Sequence, residues 1–384
     1  MYKADFQLVV DFVRSLYASD NFIPLHVPVF KGNERKYVLD TIDSTFVSSV
    51  GAYVNKFENL MCEITGAKYA VAIVSGTNAL HLSLILAGVE QEDEVITQSL
   101  TFIATCNAIS YLKARPVFVD IDRDTLGLSP DALEQFLSSS TEVRNDGFCY
   151  NKISGRRIKA CVPMHTFGFP CRIDKIVEVC KRYNIFLVED AAESIGSYYK
   201  EKHTGTYGSI GVFSFNGNKT VTCGGGGAII TNDNEIAKKA KHLSTQAKVS
   251  HRWDFYHDEV GYNYRMPNIN AALACAQLEQ LDLFIESKRD IASLYSSFFD
   301  HTNIEYIKEP DNTKANYWLN AILLKDRFER DLFLEFTNDQ GVMTRPSWEL
   351  MHHLPMYKDS QHGDLTVSEW IAERLVNIPS SVKL

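Results

Sequence analysis

Apolar and polar positions along this chain follow two alternating periods. Between Tyr53 and Gly66, "YVNKFENLMCEITG" sets Val54, Phe57, Leu60, Met61 and Ile64 on one helical face. "YAVAIVS" (69–75) then reads as a short strand, apolar throughout, and "SGTNALHLSLILAG" as a helix opening near Gly76. "EVITQS" (94–99), "TFIATCNAISYLKA" and "RPVFVDI" (115–121) repeat the strand–helix–strand order. "IKACVPMH" (158–165), a helix near 172–183 and "NIFLVEDA" (184–191) extend it, and "AIITN" (228–232) adds a strand. Short strands without polar alternation are buried on both faces. With helices between them they predict an α/β fold, its mixed, mostly parallel sheet covered on both sides.

Beyond residue 232 the pattern changes. A helix leads into the aromatic-rich polar stretch "HRWDFYHDEVGYNYRMPN" (251–268), and one long helical run is predicted from "INAALACAQLEQLDLF" to about Phe299. The remainder mixes short strands, such as "WLNAILL" (318–324), with helices, the composition of a smaller α+β domain. The expected division is therefore 1–250, an N-terminal segment and large domain, and 251–384, an interface segment, the long helix and a small C-terminal domain. No internal repeat or low-complexity tract interrupts this order.

Composition narrows the function classes. Of 384 residues, 45% are hydrophobic and 23% charged, as in an ordinary globular protein. A net charge of −9 argues against nucleic acid as a partner. Asp5 and Asp11 interrupt the apolar N-terminus, unlike a signal peptide, and no apolar run approaches the ~20 residues of a membrane span. The eight cysteines show neither C-x-x-C pairing nor zinc spacing, which fits buried thiols in a reducing compartment; a cytoplasmic location is expected.

Candidate chemistry lies where predicted strands end, because open α/β sheets bind ligands there, against helix N-termini. In "VSGTNAL", Gly76 and Thr77 open a helix and suit an anion, although an N-cap would use the same residue types. "VEDAAES" ends a strand with Glu189 and Asp190. "SFNGNKTVTCGGGG" places Lys219, 29 residues after Asp190, just ahead of four glycines. Each feature alone has a bland explanation as a cap or a solvated charge. Together they supply an anion cradle, a carboxylate and an amine, the parts that pyridoxal phosphate requires.

These stretches carry a resemblance. "GAKYAVAIVSGTNALHLSL", "TFIATCNAI", "PVFVDID", "VEDAAES", "SFNGNK", "GGGGAIIT" and "GYNYRMPNINAALACAQLEQL" occur in the order seen in sugar aminotransferases of the DegT/DnrJ/StrS family, which the chain resembles from about residue 25 onward. The resemblance implies a fold type I enzyme with pyridoxal 5′-phosphate as cofactor. By position, Lys219 resembles the lysine that binds the cofactor covalently and moves protons, and Asp190 the acid paired with the pyridine nitrogen. Phe102 and Ala192 match residues against the two ring faces, Glu193 a ring-hydroxyl contact, and Gly76, Thr77 and Ser214 phosphate contacts. Asn263 matches an asparagine that reaches the phosphate of the neighbouring subunit, so a homodimer is implied.

Two positions depart from the family pattern. Many relatives carry glutamine or histidine where Glu193 stands, and often histidine in place of Asn216. "FVSSVGAYVNKFENLM", "DTLGLSP", "MHTFGFP" and "VSHRWDFYHDEVGYNYRMPN" are similar to a branch that aminates UDP-linked 4-keto-6-deoxy-N-acetylhexosamines with glutamate as donor. That implies UDP-2-acetamido-2,6-dideoxy-hexos-4-ulose as substrate, with Arg265 a candidate contact for the diphosphate and Asn216 a further substrate-side residue. The alternatives are a GDP-perosamine synthase type, a dTDP-4-keto-sugar aminotransferase and a non-catalytic cofactor-binding regulator.

Other classes lack their signatures. No G-x-G-x-x-G follows a predicted strand, and no H-E-x-x-H or G-x-S-x-G is present. "DIDRDT" alternates acids as a calcium loop does, but Thr125 stands at the sixth position and Asp131 at the twelfth, which suits a strand end turning back better than an ion.

Overall fold

The computed structural model describes residues 2–384, with side chains from Asp5 onward. Seven strands form the path of a nine-stranded central sheet: β1 (Tyr69–Ile73), β2 (Glu94–Gln98), β3 (Arg115–Val119), β4 (Arg157–Val162), β5 (Phe186–Asp190), β6 (Ile210–Ser214) and β7 (Gly227–Thr231). Their spatial order is β1-β7-β6-β5-β4-β2-β3. All neighbours are parallel except at β7, which runs antiparallel to both β1 and β6. The apolar runs predict this burial, and β2 and β7 are buried at every residue.

Register brings the chemistry to one end of the sheet. Val212 pairs with Asp190, while Gly227 faces Ser214 on one side and Ile73 on the other. The glycine run serves this junction. A Cβ on Gly227 would lie 2.5 Å from the Ser75 carbonyl, and Gly224 takes φ +79°, a left-handed turn that favours glycine.

Among the described residues twelve α-helices accompany the strands: α1 (Tyr2–Tyr17), α2 (Glu34–Asp43), α3 (Ala52–Thr65), α4 (Gly76–Leu86), α5 (Ile103–Tyr111), α6 (Pro130–Ser140), α7 (Ile173–Arg182), α8 (Asn234–Ser244), α9 (Asn268–Leu278), α10 (Leu281–Phe299), α11 (Arg327–Asp339) and α12 (Thr366–Ala372). The long helical run expected up to Phe299 is two helices. Gln280 leaves helical geometry at φ −108°, ψ 5°, and its side chain joins that of Gln277 on Glu34. The break lets α9 stay buried in the large-domain core while α10 turns to place Ile291, Tyr295 and Phe299 in the small-domain core.

That small-domain core also takes in α1. Phe6, Val9, Val10 and Val13 join Phe333, Val342 and Ile378, and the rings of Phe6 and Phe333 meet edge-on at 5.1 Å. Within the expected 1–250 division, α1 is the N-terminal segment, and its apolar face packs in the C-terminal cluster. Burying such a stripe against the partner that fits it is what holds a helix in place. Residues 23–28 return from α1 alongside the C-terminal segment, with Ser380 N–H donating to Leu25 and Val27 N–H to Ser381. The "DIDRDT" acids are structural: Arg172 takes Asp122 and Asp124, and Asp120 caps the start of α12 through Val367 and Ser368. Among the described residues, no helix is long and apolar enough to cross a membrane.

Candidate active site

A cavity of about 280 Å³ opens at the carboxyl end of the sheet. Into it come Gly76 and Thr77 from the start of α4, Phe102 ahead of α5, Asp190, Ala192 and Glu193 after β5, Ser214 ending β6, and Asn216 and Lys219 in the turn beyond. The sequence brings them together through one device, a buried strand that stops at a polar residue while the next helix or turn begins.

The start of α4 offers donors that suit an anion. Ser75 caps the helix by accepting from Asn78 N–H at 3.1 Å, which leaves the Gly76 and Thr77 N–H groups at the open end of the helix dipole. The N-cap reading of "VSGTNAL" is met by Ser75, and the N–H groups of Gly76 and Thr77 are left available to an anion. Ser214 completes the wall so closely that a Cβ on Gly76 would stand 2.7 Å from the Ser214 Cβ.

Asp190 is 2% exposed, and burial raises its carboxyl above the usual range. Thr105 Oγ1 donates to Oδ2 at 2.7 Å and Ala192 N–H to Oδ1 at 3.2 Å, two bonds that favour the ionised form. Lys219 Nζ lies 2.9 Å from Glu193 Oε1 and 4.1 Å from the Trp318 ring centroid, so the amine sits between a carboxylate and an aromatic face. Glu193 Oε2 accepts from Phe167 N–H at 2.9 Å. Trp318 is fixed in turn by its indole N–H, which donates to the Asn218 carbonyl at 2.7 Å.

Two expected residues lie outside this cavity. Asn263 is exposed and bridges Thr245, and Arg265 bridges Ile73 with its Nε buried and without a hydrogen bond. Both belong to the segment that carries Trp253, Phe255 and Val260, whose large apolar side chains stand 68%, 84% and 81% exposed. Sequence reading missed Thr105, Trp318 and Trp348. Thr105 sat within the quoted "TFIATCNAI", three residues after Phe102, which was a usable signal. Trp318 and Trp348 enter from the small domain, where no local pattern points to the cavity.

The donors suit pyridoxal 5′-phosphate: N–H and hydroxyl groups for a phosphate, a buried carboxylate for a ring nitrogen, and an amine between them. Fold and site place the molecule among the fold type I enzymes that use this cofactor. The chain belongs to the DegT/DnrJ/EryC1/StrS aminotransferase family, whose model matches residues 28–384. It is 39% identical over 359 residues to a GDP-perosamine synthase of Escherichia coli O157:H7, covering 94% of this chain and 93% of the relative. A GDP-perosamine synthase of Vibrio cholerae is 36% identical, with 93% and 94% covered. Among solved structures, the aminotransferase TlmJ of Streptoalloteichus hindustanus superposes with a TM-score of 0.85 at 27% identity, over 94% and 93% of the two chains.

Proposed function

We propose that the protein transfers an amino group from glutamate to C4 of a nucleotide-linked 4-keto-6-deoxy sugar, with a GDP-linked sugar as the first candidate. The observation that carries the aminotransferase part is the meeting of Lys219, Asp190 and the α4 cradle in one cavity. The GDP-perosamine synthases similar to this chain over nearly its whole length support the GDP-linked substrate. They favour that alternative over the UDP-linked branch that the sequence stretches suggest. The UDP-linked acetamido sugar stays as a second reading because of "FVSSVGAYVNKFENLM" and its companion stretches.

When bound, the cofactor supplies a covalent handle for the amino group and an electron sink. The chain's own residues do the rest. Asp190 would hold a proton on the ring nitrogen, keeping the sink effective. Gly76, Thr77 and Ser214 would hold the phosphate, and Phe102 and Ala192 would confine the ring. Lys219 would hold the cofactor, and its amine, once free, would move protons as general base and acid. Trp318 and Trp348 close the small-domain side and limit water.

In this reading the active unit is a homodimer. The exposed apolar side chains between Trp253 and Val260 form a patch suited to a second copy, and Asn263 and Arg265 reach the partner's site from it. The test is incubation of the cofactor-loaded enzyme with glutamate and GDP-, UDP- and dTDP-linked 4-keto sugars, read by mass. Amination of the GDP sugar alone supports the first reading, and of the UDP sugar alone the second. Failure with all three while glutamate bleaches the visible band overturns the sugar assignment.

A further inference from the structure

Outside the cofactor cavity, the small domain gathers three imidazoles on one edge. His352 and His353 close the turn Met351–His353, and their ring centroids are 4.1 Å apart. His362 brings its ring centroid to 5.5 Å from that of His352. From α12, Glu369 sets Oε1 3.5 Å from His352 Nε2. One ring nitrogen of His352, one of His353 and one carboxylate oxygen of Glu369 lie within 4.8 Å of one another. We propose that His352, His353 and Glu369 form a site for one divalent cation of the zinc type, with His362 placed to complete the ligand set. The inference goes beyond the functional reading, since none of the four residues lines the cofactor cavity.

Distance and hydrogen bonding both favour an ion over a simple ion pair. Two ligands each about 2.1 Å from a tetrahedral zinc stand about 3.4 Å from one another. The 3.5 Å between His352 and Glu369 matches that spacing and is long for a charge-assisted hydrogen bond, which measures about 2.7–2.9 Å. The other ring nitrogens are engaged in the way that metal-binding histidines need. His353 Nδ1 lies 2.8 Å from Glu349, and His362 Nδ1 lies 2.7 Å from the Gly363 carbonyl. A carboxylate and a carbonyl only accept, so both rings donate from Nδ1 and keep the lone pair on Nε2. Ser99 Oγ, 2.7 Å from His352 Nδ1, can accept from it and free the Nε2 of that ring as well. Burial, and then the charges of His353 and His362, lower His352 below its ordinary value, which favours the neutral imidazole that binds metals.

Two imidazoles and a carboxylate, with a third imidazole or a water in the fourth position, suit zinc. Magnesium and calcium prefer oxygen ligands. Charge agrees, because Glu349 and Glu369 line the adjoining cavity, while its Arg327 and Arg330 are turned to Asp331. A second group, His242 with Asp258 and Glu259, is weaker: His242 already sits 2.7 Å from Asp258, and Lys239 holds Glu259. An ion among His352, His353 and Glu369 would pin the turn that follows Trp348 to α12, and so stiffen one wall of the cofactor cavity.

Calorimetric titration of EDTA-treated, dialysed holoenzyme with zinc chloride tests the site. One equivalent should bind, raise the melting temperature and leave the visible band of the cofactor unchanged. His353→Ala and Glu369→Gln alter side chains that are 47% and 56% exposed, so the fold should persist. Glu349→Ala, which only removes the partner that orients His353, should weaken zinc binding about 10- to 100-fold, and the two ligand variants should weaken it further. His242→Gln should bind zinc as the wild type does. Cobalt(II) in place of zinc should give the strong absorption of a four-coordinate ion, a result that the wild type decides even if a variant misfolds. No zinc binding, equal binding of magnesium, an unchanged affinity in either His353→Ala or Glu369→Gln, a loss confined to His242→Gln, or a six-coordinate cobalt spectrum overturns the proposal. None of these readouts depends on the amino donor or the sugar.

Discussion

Thr105→Val probes the most sensitive electrostatic contact in the site. The substitution replaces a hydroxyl by a methyl group at a residue 1% exposed and removes the 2.7 Å bond to Asp190 Oδ2. It also removes the 3.2 Å contact with Thr101, which has a second acceptor in Met164 Sδ at 3.1 Å. A hydrogen bond to a charged group contributes about 1.5–3 kcal/mol, and one pKa unit is about 1.4 kcal/mol. The Asp190 carboxyl, already raised by burial, should rise by about 1–2 further units. Because only the ionised form holds a proton on the ring nitrogen, the acid edge of pyridoxal-phosphate binding should move to higher pH by the same amount. Affinity on the acid side should fall about 10- to 100-fold. Titrating the visible band against cofactor concentration between pH 5 and 8 measures both. An unchanged acid edge, with circular dichroism showing an intact fold, would falsify the view that Thr105 maintains the Asp190 charge.

Three further outcomes are expected. Lys219→Ala should fold and lose both the visible band and turnover; borohydride reduction and peptide mapping should find the wild-type adduct at residue 219 and none in the variant. Gly76→Ala pushes a methyl group to 2.7 Å from the Ser214 Cβ and should weaken cofactor binding at least tenfold, as equilibrium dialysis can show. His203 is buried and neutral. Its Nε2 accepts from Gly196 N–H and its Nδ1 donates to the Thr204 carbonyl, and burial lowers it from 6.5 to about 4. A depressed value means that the unfolded chain takes up a proton first. Stability is therefore full above about 6.5 and is lost as pH falls toward 4, by about 3 kcal/mol. His203→Gln should flatten that acid loss in thermal melts, and an unchanged slope would remove His203 as its source.

The sequence by itself determined the strands and helices of the central sheet and many of the residues that line the cavity. Short, wholly apolar strands could only be buried on both faces, and the polar residue ending each one had to lie at the sheet's carboxyl end. Local chemistry thus announced Asp190, Ser214 and the start of α4 before any packing was known. Tertiary structure alone decided what came from afar. The side of α1 that packs in the small-domain core looks locally like any amphipathic face, and nothing in its period names the partner. The break at Gln280 depends on Glu34, more than two hundred residues away, and the tryptophan wall over Lys219 on how the small domain docks. The pairing of Lys219 with Glu193 is of the same kind: the residue types were legible, but only the fold sets an amine and a buried carboxyl 2.9 Å apart.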